Sequence, residues 1–131
     1  MNRCENTYDF DLAVTDFNGE ASFAEHESRS MGRLAISGRL KVRCATLDGL
    51  FCEGDISTPD VLKIDVEGAE LAVLTGAKQI LESARPVIFL ATHGPDVHAS
   101  YCRLLSELGY HLEALNGRTV EDSTELLALV R

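Results

Sequence analysis

The sharpest change in hydrophobic patterning lies near the middle of the chain, where an aliphatic run ends in acidic residues and a glycine. Val61–Ile64 form this run, which is typical of a buried parallel strand. Apolar residues then recur three or four positions apart across residues 69–84, and this period predicts a helix with one face packed on a sheet. Asp65, Glu67 and Gly68 lie between the two elements. Open α/β sheets bind ligands at the carboxyl ends of their strands, so the two carboxylates are candidate site residues.

A second strand and helix follow the first pair. Pro86 ends the first helix, residues 87–90 predict another buried strand, and Pro95 suits the first turn of the next helix. His93 lies between this strand and helix, in the place that Asp65 has in the first pair. We therefore expect Asp65 and His93 at two adjacent strand ends, beside one crevice.

One glycine interrupts the helix predicted over residues 69–84. Gly76 destabilises a helix by roughly 1 kcal/mol relative to alanine. We therefore expect another segment to pack closely against it.

The two ends of the chain predict strand pairs. Residues 110–115 and 125–130 predict two final strands that are antiparallel neighbours. Near the N-terminus, residues 8–15 predict a strand, Asn18-Gly19 a tight turn, and residues 20–23 the returning strand of a hairpin.

Between the hairpin and the central strand the pattern is weaker. Residues 25–38 lack a sustained apolar period and predict a surface loop that covers a site. Leu40–Ala45 alternates with a period of two, which predicts a half-buried strand. A short helix is expected to begin at residues 46–48.

Composition limits the classes of partner. The 131 residues have a formal net charge of -9 and are 45% hydrophobic, which predicts one globular domain over residues 1–131. Nucleic acids and anionic membranes both attract basic surfaces, so neither partner is expected. No apolar run reaches membrane-spanning length and the N-terminus lacks a signal-peptide pattern, so the cytoplasm is the expected location. The spacing of cysteines and histidines predicts no metal site.

The segment around the central turn carries a family resemblance. The run KIDVEGAE, residues 63–70, followed by LAVLTGAKQIL, residues 71–81, resembles the signature of the FkbM-type methyltransferases. These are a branch of the class I S-adenosylmethionine-dependent methyltransferases. Further segments are similar to those of the family and follow in the same order: residues 13–20, 45–48, 85–90, 93–94 and 108–110.

The resemblance implies an α/β fold with the Rossmann-like sheet of class I methyltransferases, helices packed on that sheet, and an antiparallel strand pair at the C-terminus. It covers most of this chain but only the C-terminal part of a complete family member, so we expect a partial domain truncated at its N-terminus. The family's glycine-rich donor-binding turn is absent. In the family's strand order, the two strands that are missing here would lie between the strand of residues 8–15 and Val61–Ile64. Because a buried strand cannot leave one edge open, we expect self-association, a missing N-terminal segment or a rearranged N-terminal hairpin there.

The resemblance also implies a chemistry. It implies S-adenosylmethionine as the cofactor and O-methylation of a small acceptor, on a hydroxyl of a sugar or secondary metabolite. Asp65, Glu67 and His93 are then expected around the acceptor as catalytic residues. Asp65 is also assigned to the cofactor, together with the backbone of Ala13 and Val14 near the adenine.

Acid–base chemistry divides these roles. Histidine has a reference pKa of about 6.5 and suits proton transfer near neutrality, whereas a solvated aspartate, at about 3.9, is a weak base for an alcohol. His93 is thus the candidate base and Asp65 the candidate orienting group. Each residue also has a structural interpretation: Asp65 as a helix cap, Glu67 as a charge at a helix N-terminus, and His93 as polar surface. Family members often have a glutamate shortly before the histidine, where this chain has Ala91 and Thr92.

Two other functions remain open from the sequence. One is a noncatalytic remnant or partner-dependent half-domain that lacks the donor-binding turn. The other is a different α/β enzyme that uses Mg²⁺, for which Asp65 and Glu67 are the only candidate ligands.

Overall fold

The computed structural model describes residues 5–23 and 40–131, and over these residues the chain is a mixed α/β fold with two sheets and four helices. The loop predicted over residues 25–38 lies outside the described residues. No helix in the described ranges is long and apolar enough to cross a membrane. The strands are β1 (Ala13–Val14), β2 (Gly19–Phe23), β3 (Leu40–Ala45), β4 (Val61–Ile64), β5 (Val87–Ala91), β6 (His111–Ala114) and β7 (Glu125–Leu129). The helices are α1 (Leu47–Cys52), α2 (Glu70–Thr75), α3 (Lys78–Ser83) and α4 (Pro95–Glu107).

The N-terminal strands form a three-stranded sheet in the order β1-β3-β2. β3 lies between the other two, parallel to β1 and antiparallel to β2. The predicted hairpin of residues 8–15 and 20–23 is therefore wrong, and its first strand has only two residues. The Asn18 side chain explains the difference, because its Oδ1 accepts a hydrogen bond from the backbone N–H of Thr46, 3.0 Å away. That contact ties the turn to the start of α1 instead of closing a hairpin.

The other four strands form the main sheet, in the order β4-β5-β7-β6. β4 and β5 are parallel, and the last two strands are antiparallel neighbours, as predicted. Within the described residues, β4 pairs only with β5, so its other edge carries no strand. The N-terminal strands pair among themselves and do not cover this edge. We still predict that a second chain or a further segment of the protein covers the unpaired edge of β4.

The hydrophobic core lies on one face of the main sheet, against α2, α3 and α4. Burial along β4 alternates: Ile64 is buried, whereas Lys63 is exposed and Val61 keeps 55% of its surface exposed. The predicted strand is parallel, as expected, but it is only partly buried, because the described helices pack on one side of the sheet. The core residues are Ile64, Val73, Leu74, Ala77, Leu81, Ile88, Leu90, Tyr101, Leu105, Tyr110, Leu126 and Ala128.

The helix predicted over residues 69–84 is two helices, α2 and α3, separated at Gly76 and Ala77. Gly76 lies against the N-terminal sheet, since a Cβ placed on it would come within 2.2 Å of the carbonyl oxygen of Thr15. The expected close packing at Gly76 is confirmed. Asp48 also contacts the junction of α2 and α3. Its backbone N–H donates to the Gly76 carbonyl at 3.0 Å, and its carboxylate accepts from two N–H groups in the first turn of α3.

Gly76→Ala is expected to lower the free energy of unfolding by about 1–3 kcal/mol, because the added methyl group overlaps a backbone atom that cannot move without shifting β1. The neighbouring, exposed Thr75→Ala is the matched control and should change it by no more than about 0.5 kcal/mol. Urea unfolding of the three proteins measures both values. A Gly76→Ala variant as stable as the parent chain would contradict the close contact.

Candidate functional site

Two predicted site residues meet at the carboxyl ends of β4 and β5. Ile64 and Leu90 are partners in the parallel pairing, so both strands end at the same edge of the sheet. Asp65 follows β4 directly and His93 follows β5 by two residues. The Nε2 atom of His93 lies 3.9 Å from Oδ1 of Asp65, and the two side chains keep 41% and 51% of their surface exposed. The structure therefore places an imidazole and a carboxylate side by side, open to solvent.

The turn after Asp65 is tight and holds the next carboxylates. Glu67 has a positive φ of 48° and Gly68 one of 106°, so the chain reverses within two residues before α2 begins. The left-handed region suits Gly68 but is uncommon for a residue with a side chain. Glu67 is exposed, and within residues 5–23 and 40–131 it makes no ion pair or side-chain hydrogen bond. Its expected place in the site stays a prediction.

Glu70, at the start of α2, is fully buried and anchors His93. Its Oε1 lies 2.7 Å from Nδ1 of His93 and accepts a hydrogen bond from the backbone N–H of Gly68 at 3.1 Å. Its Oε2 is also buried and has no hydrogen-bond partner among the described residues. One side chain thus fixes both the turn and the histidine.

Glu70 was not among the residues predicted for the site. Its place in the first turn of a helix suits a negative charge and does not by itself indicate a site. A stronger signal was present, because Glu70 falls on the apolar face of α2, three and four positions before Val73 and Leu74. A glutamate in line with core residues must find a partner inside the protein, and here that partner is His93.

A second polar group lies on the core side of β5. Tyr101 of α4 is fully buried, and its hydroxyl lies 3.1 Å from Nδ1 of His98. Burial raises the pKa of the Tyr101 hydroxyl, a hydrogen bond with Thr92 partly offsets this, and the charge of Glu70 raises it again. Tyr101 therefore remains protonated, and its buried side chain packs in the core beside the end of β5. His98 belongs to this structural group.

Two cavities flank the end of β5. The larger, of about 570 Å³, lies between α4 and residues 120–124, and none of the predicted site residues lines it. The smaller, of about 250 Å³, is lined by Asp65 together with Lys63, Phe89, Leu115 and Glu125. The smaller cavity is therefore the one that adjoins the Asp65–His93 pair.

The residues predicted to bind the adenine lie in the other sheet. Ala13 and Val14 form β1, which pairs with β3 on one side and is an edge strand of the described sheet. Val14 is half-buried and packs against the main core. The described contacts do not join either residue to Asp65 or His93, so their assignment stays a prediction.

Comparison with known proteins gives a consistent result. The family model described as the methyltransferase FkbM domain matches residues 1–112. The hexuronic acid methyltransferase AglP of Haloferax volcanii is 33% identical over 96 residues, which are 72% of this chain and 40% of that protein. The chain thus spans about 40% of the length of this relative. A crystal structure of the methyltransferase FkbM from Methylobacillus flagellatus is similar with a TM-score of 0.50 at 21% identity, over 68% of this chain and 23% of that one.

Glu70→Ala is expected to lower the free energy of unfolding by about 2–4 kcal/mol, because it removes a buried side chain and the hydrogen-bond acceptor of Gly68 and His93. Glu67→Ala, in the same turn but exposed, is the matched control and should change it by no more than about 0.5 kcal/mol. Denaturant unfolding measures both. Equal effects of the two substitutions would show that the buried carboxylate does not hold the turn.

Proposed function

Because this chain belongs to the FkbM methyltransferase family, we propose that it takes part in S-adenosylmethionine-dependent O-methylation of a hydroxyl group on a sugar or secondary metabolite. The family match over residues 1–112 supports the reaction class. The relative from Haloferax volcanii, a hexuronic acid methyltransferase by name, supports a sugar acceptor. The parallel β4–β5 pair beside the antiparallel β7–β6 pair supports a Rossmann-like class I methyltransferase sheet.

The 3.9 Å approach of His93 to Asp65 carries this proposal. O-methylation requires that the acceptor hydroxyl lose its proton as its oxygen bonds to the methyl carbon. Imidazole exchanges protons near neutral pH, so Nε2 of His93 is the atom that accepts this proton. Asp65, whose carboxylate is a weaker base, orients the acceptor beside the ring. No covalent bond to the protein is needed.

The chain also has groups that suit the cofactor. S-adenosylmethionine, when bound, would supply the methyl group and an ammonium group. The exposed Asp65 carboxylate suits the ammonium, and the free edge of β1 offers backbone groups of Ala13 and Val14 to the adenine. Glu67, exposed in the tight turn, completes the proposed acceptor side.

The smaller cavity supports an acceptor of modest size. Its volume of about 250 Å³ is below the roughly 300–1,000 Å³ of sites for drug-sized ligands, and suits a group such as one sugar ring. Phe89 and Leu115 give it an apolar wall, and Lys63 places a cation in the lining. A cation there matches the carboxylate of a hexuronic acid.

A partner-dependent half-domain is the second candidate. The unpaired edge of β4 and the exposed Val61 side chain favour it. An open strand edge leaves backbone groups available to another chain, and parallel sheets are usually covered on both faces. In this case the site residues are in place, but methyl transfer requires a second copy of the chain or a further segment at the β4 edge.

His93→Gln is expected to lower kcat about 10²–10⁴-fold, since it removes the general base. Transfer of labelled methyl from S-adenosylmethionine to a panel of hexuronic acids and neutral hexoses measures the rate. His111→Gln, an exposed histidine on β6, is the control and should leave kcat unchanged.

Two outcomes would count against the proposal. An unchanged kcat in His93→Gln would remove His93 from the mechanism. No transfer by the parent chain, with light scattering showing a monomer, would contradict an independent enzyme and favour the half-domain.

A further inference from the structure

The contact between Glu70 and His93 determines which ring nitrogen of the histidine carries a proton. Oε1 of Glu70 accepts the backbone N–H of Gly68 and lies 2.7 Å from Nδ1. The other carboxylate oxygen has no partner in the described part of the chain, so Oε1 makes the hydrogen bonds of this carboxylate there. Because Oε1 already accepts the Gly68 N–H, we assign it the acceptor role toward the ring as well, which makes Nδ1 the donor. In the neutral ring, the lone pair is then on Nε2.

Nε2 of His93 and Oδ1 of Asp65 are therefore two hydrogen-bond acceptors that lie opposite each other. The 3.9 Å between Nε2 and Oδ1 of Asp65 is too long for a hydrogen bond, and with the ring proton assigned to Nδ1 the neutral ring presents Nε2 as an acceptor. Both side chains reach solvent, with 41% and 51% of their surface exposed. Each atom is thus free to accept a hydrogen bond from a separate donor on one ligand.

We propose that Asp65 and His93 together bind a vicinal diol, one hydroxyl to each, and that Glu70 is the positioning residue that sets this arrangement. A hydroxyl oxygen lies about 2.7–2.8 Å from its acceptor. The two hydroxyls of a gauche vicinal diol lie about one hydrogen-bond length apart, which suits acceptors 3.9 Å apart. A lone alcohol has one proton and leaves the second acceptor unmatched. Hydroxyls on opposite carbons of a ring are too far apart to meet both.

The surface beside Asp65 suits the ring that carries such a diol. Phe89 lies in the lining of the smaller cavity with 41% of its surface exposed, and Leu115 in the same lining is 48% exposed. These side chains offer apolar contact to the C–H face of a saturated ring. The combination of two polar acceptors and an apolar wall is characteristic of a site for a cyclic polyol.

In the reaction, the two hydroxyls have different fates. This part rests on the proposed function. The hydroxyl on His93 gives its proton to Nε2 as its oxygen forms the bond to the methyl carbon, and the electron pair of the broken carbon–sulfur bond stays on sulfur. The hydroxyl on Asp65 keeps its proton, and its hydrogen bond fixes the position of the acceptor ring relative to His93.

Binding of two isomeric diols to the full chain tests the proposal without any methyl transfer. The probes are cis-1,2-cyclohexanediol and trans-1,4-cyclohexanediol, which share composition and hydroxyl number but differ in hydroxyl spacing. Nitrogen-15 NMR of the histidine rings at mildly alkaline pH reports the tautomer, and titration reports the affinity. His93 is expected with its proton on Nδ1, and the 1,2-isomer should bind about fivefold to tenfold more tightly, the worth of about one hydrogen bond.

Variants separate the contributions. Asp65→Ala should abolish the preference for the 1,2-isomer, whereas Glu82→Ala, at an exposed carboxylate on α3, should retain it. Glu70→Leu, checked for folding by circular dichroism, should move the proton of His93 toward Nε2. A proton already on Nε2 in the parent chain, or equal affinity for the two isomers, would overturn the proposal.

The diol site and the proposed methyltransferase activity can fail independently of each other. A preference for the 1,2-isomer in a chain that transfers no methyl group supports the diol site and rejects the activity. Methyl transfer to a lone alcohol as fast as to a vicinal diol supports the activity and overturns the diol site.

Discussion

The burial of the Glu70 carboxylate is the constraint on which the site depends. A carboxylate inside a protein is costly unless its oxygens are hydrogen-bonded, and Glu70 has no exposed surface. Its partners are Gly68, in the turn after β4, and His93, after β5. The positive φ of Glu67 and Gly68 is thereby held in place, as is the orientation of the imidazole. The orientation of His93 beside Asp65 thus depends on the contact of its ring with the buried Glu70 carboxylate.

A second set of contacts connects the helices beside this site to the N-terminal sheet. Thr15, Asp48 and Gly76 meet where the N-terminal sheet approaches the junction of α2 and α3. The carboxylate of Asp48 caps α3, so the short helix has partners for its first N–H groups although no residue of its own caps it. The N-terminal sheet, with the proposed adenine-binding strand β1, is therefore fixed relative to α2 by backbone contacts that a side chain at position 76 would disrupt.

Hydrophobic periodicity predicted most elements after residue 60, including β4, β5, α4 and the final strand pair, because burial against one core produces a regular pattern. The errors fall where a tertiary contact decides the outcome. Asn18 binds Thr46, so no hairpin forms, and the carbonyl of Thr15 approaches Gly76, so one helix becomes two. In the site, strand-end placement was sufficient to predict Asp65 and His93 as neighbours. The role of Glu70 depends on a contact across 23 residues of sequence, which a local pattern does not report.

Calorimetric titration of the chain with S-adenosylhomocysteine is the decisive experiment, since the proposed methyltransferase site must hold the spent donor whichever acceptor it serves. We predict micromolar binding that weakens when Asp65 is replaced by alanine and is unaffected by replacement of the exposed Glu107 on α4. The absence of binding up to millimolar concentration, with the chain folded, would contradict the account of an independent donor site.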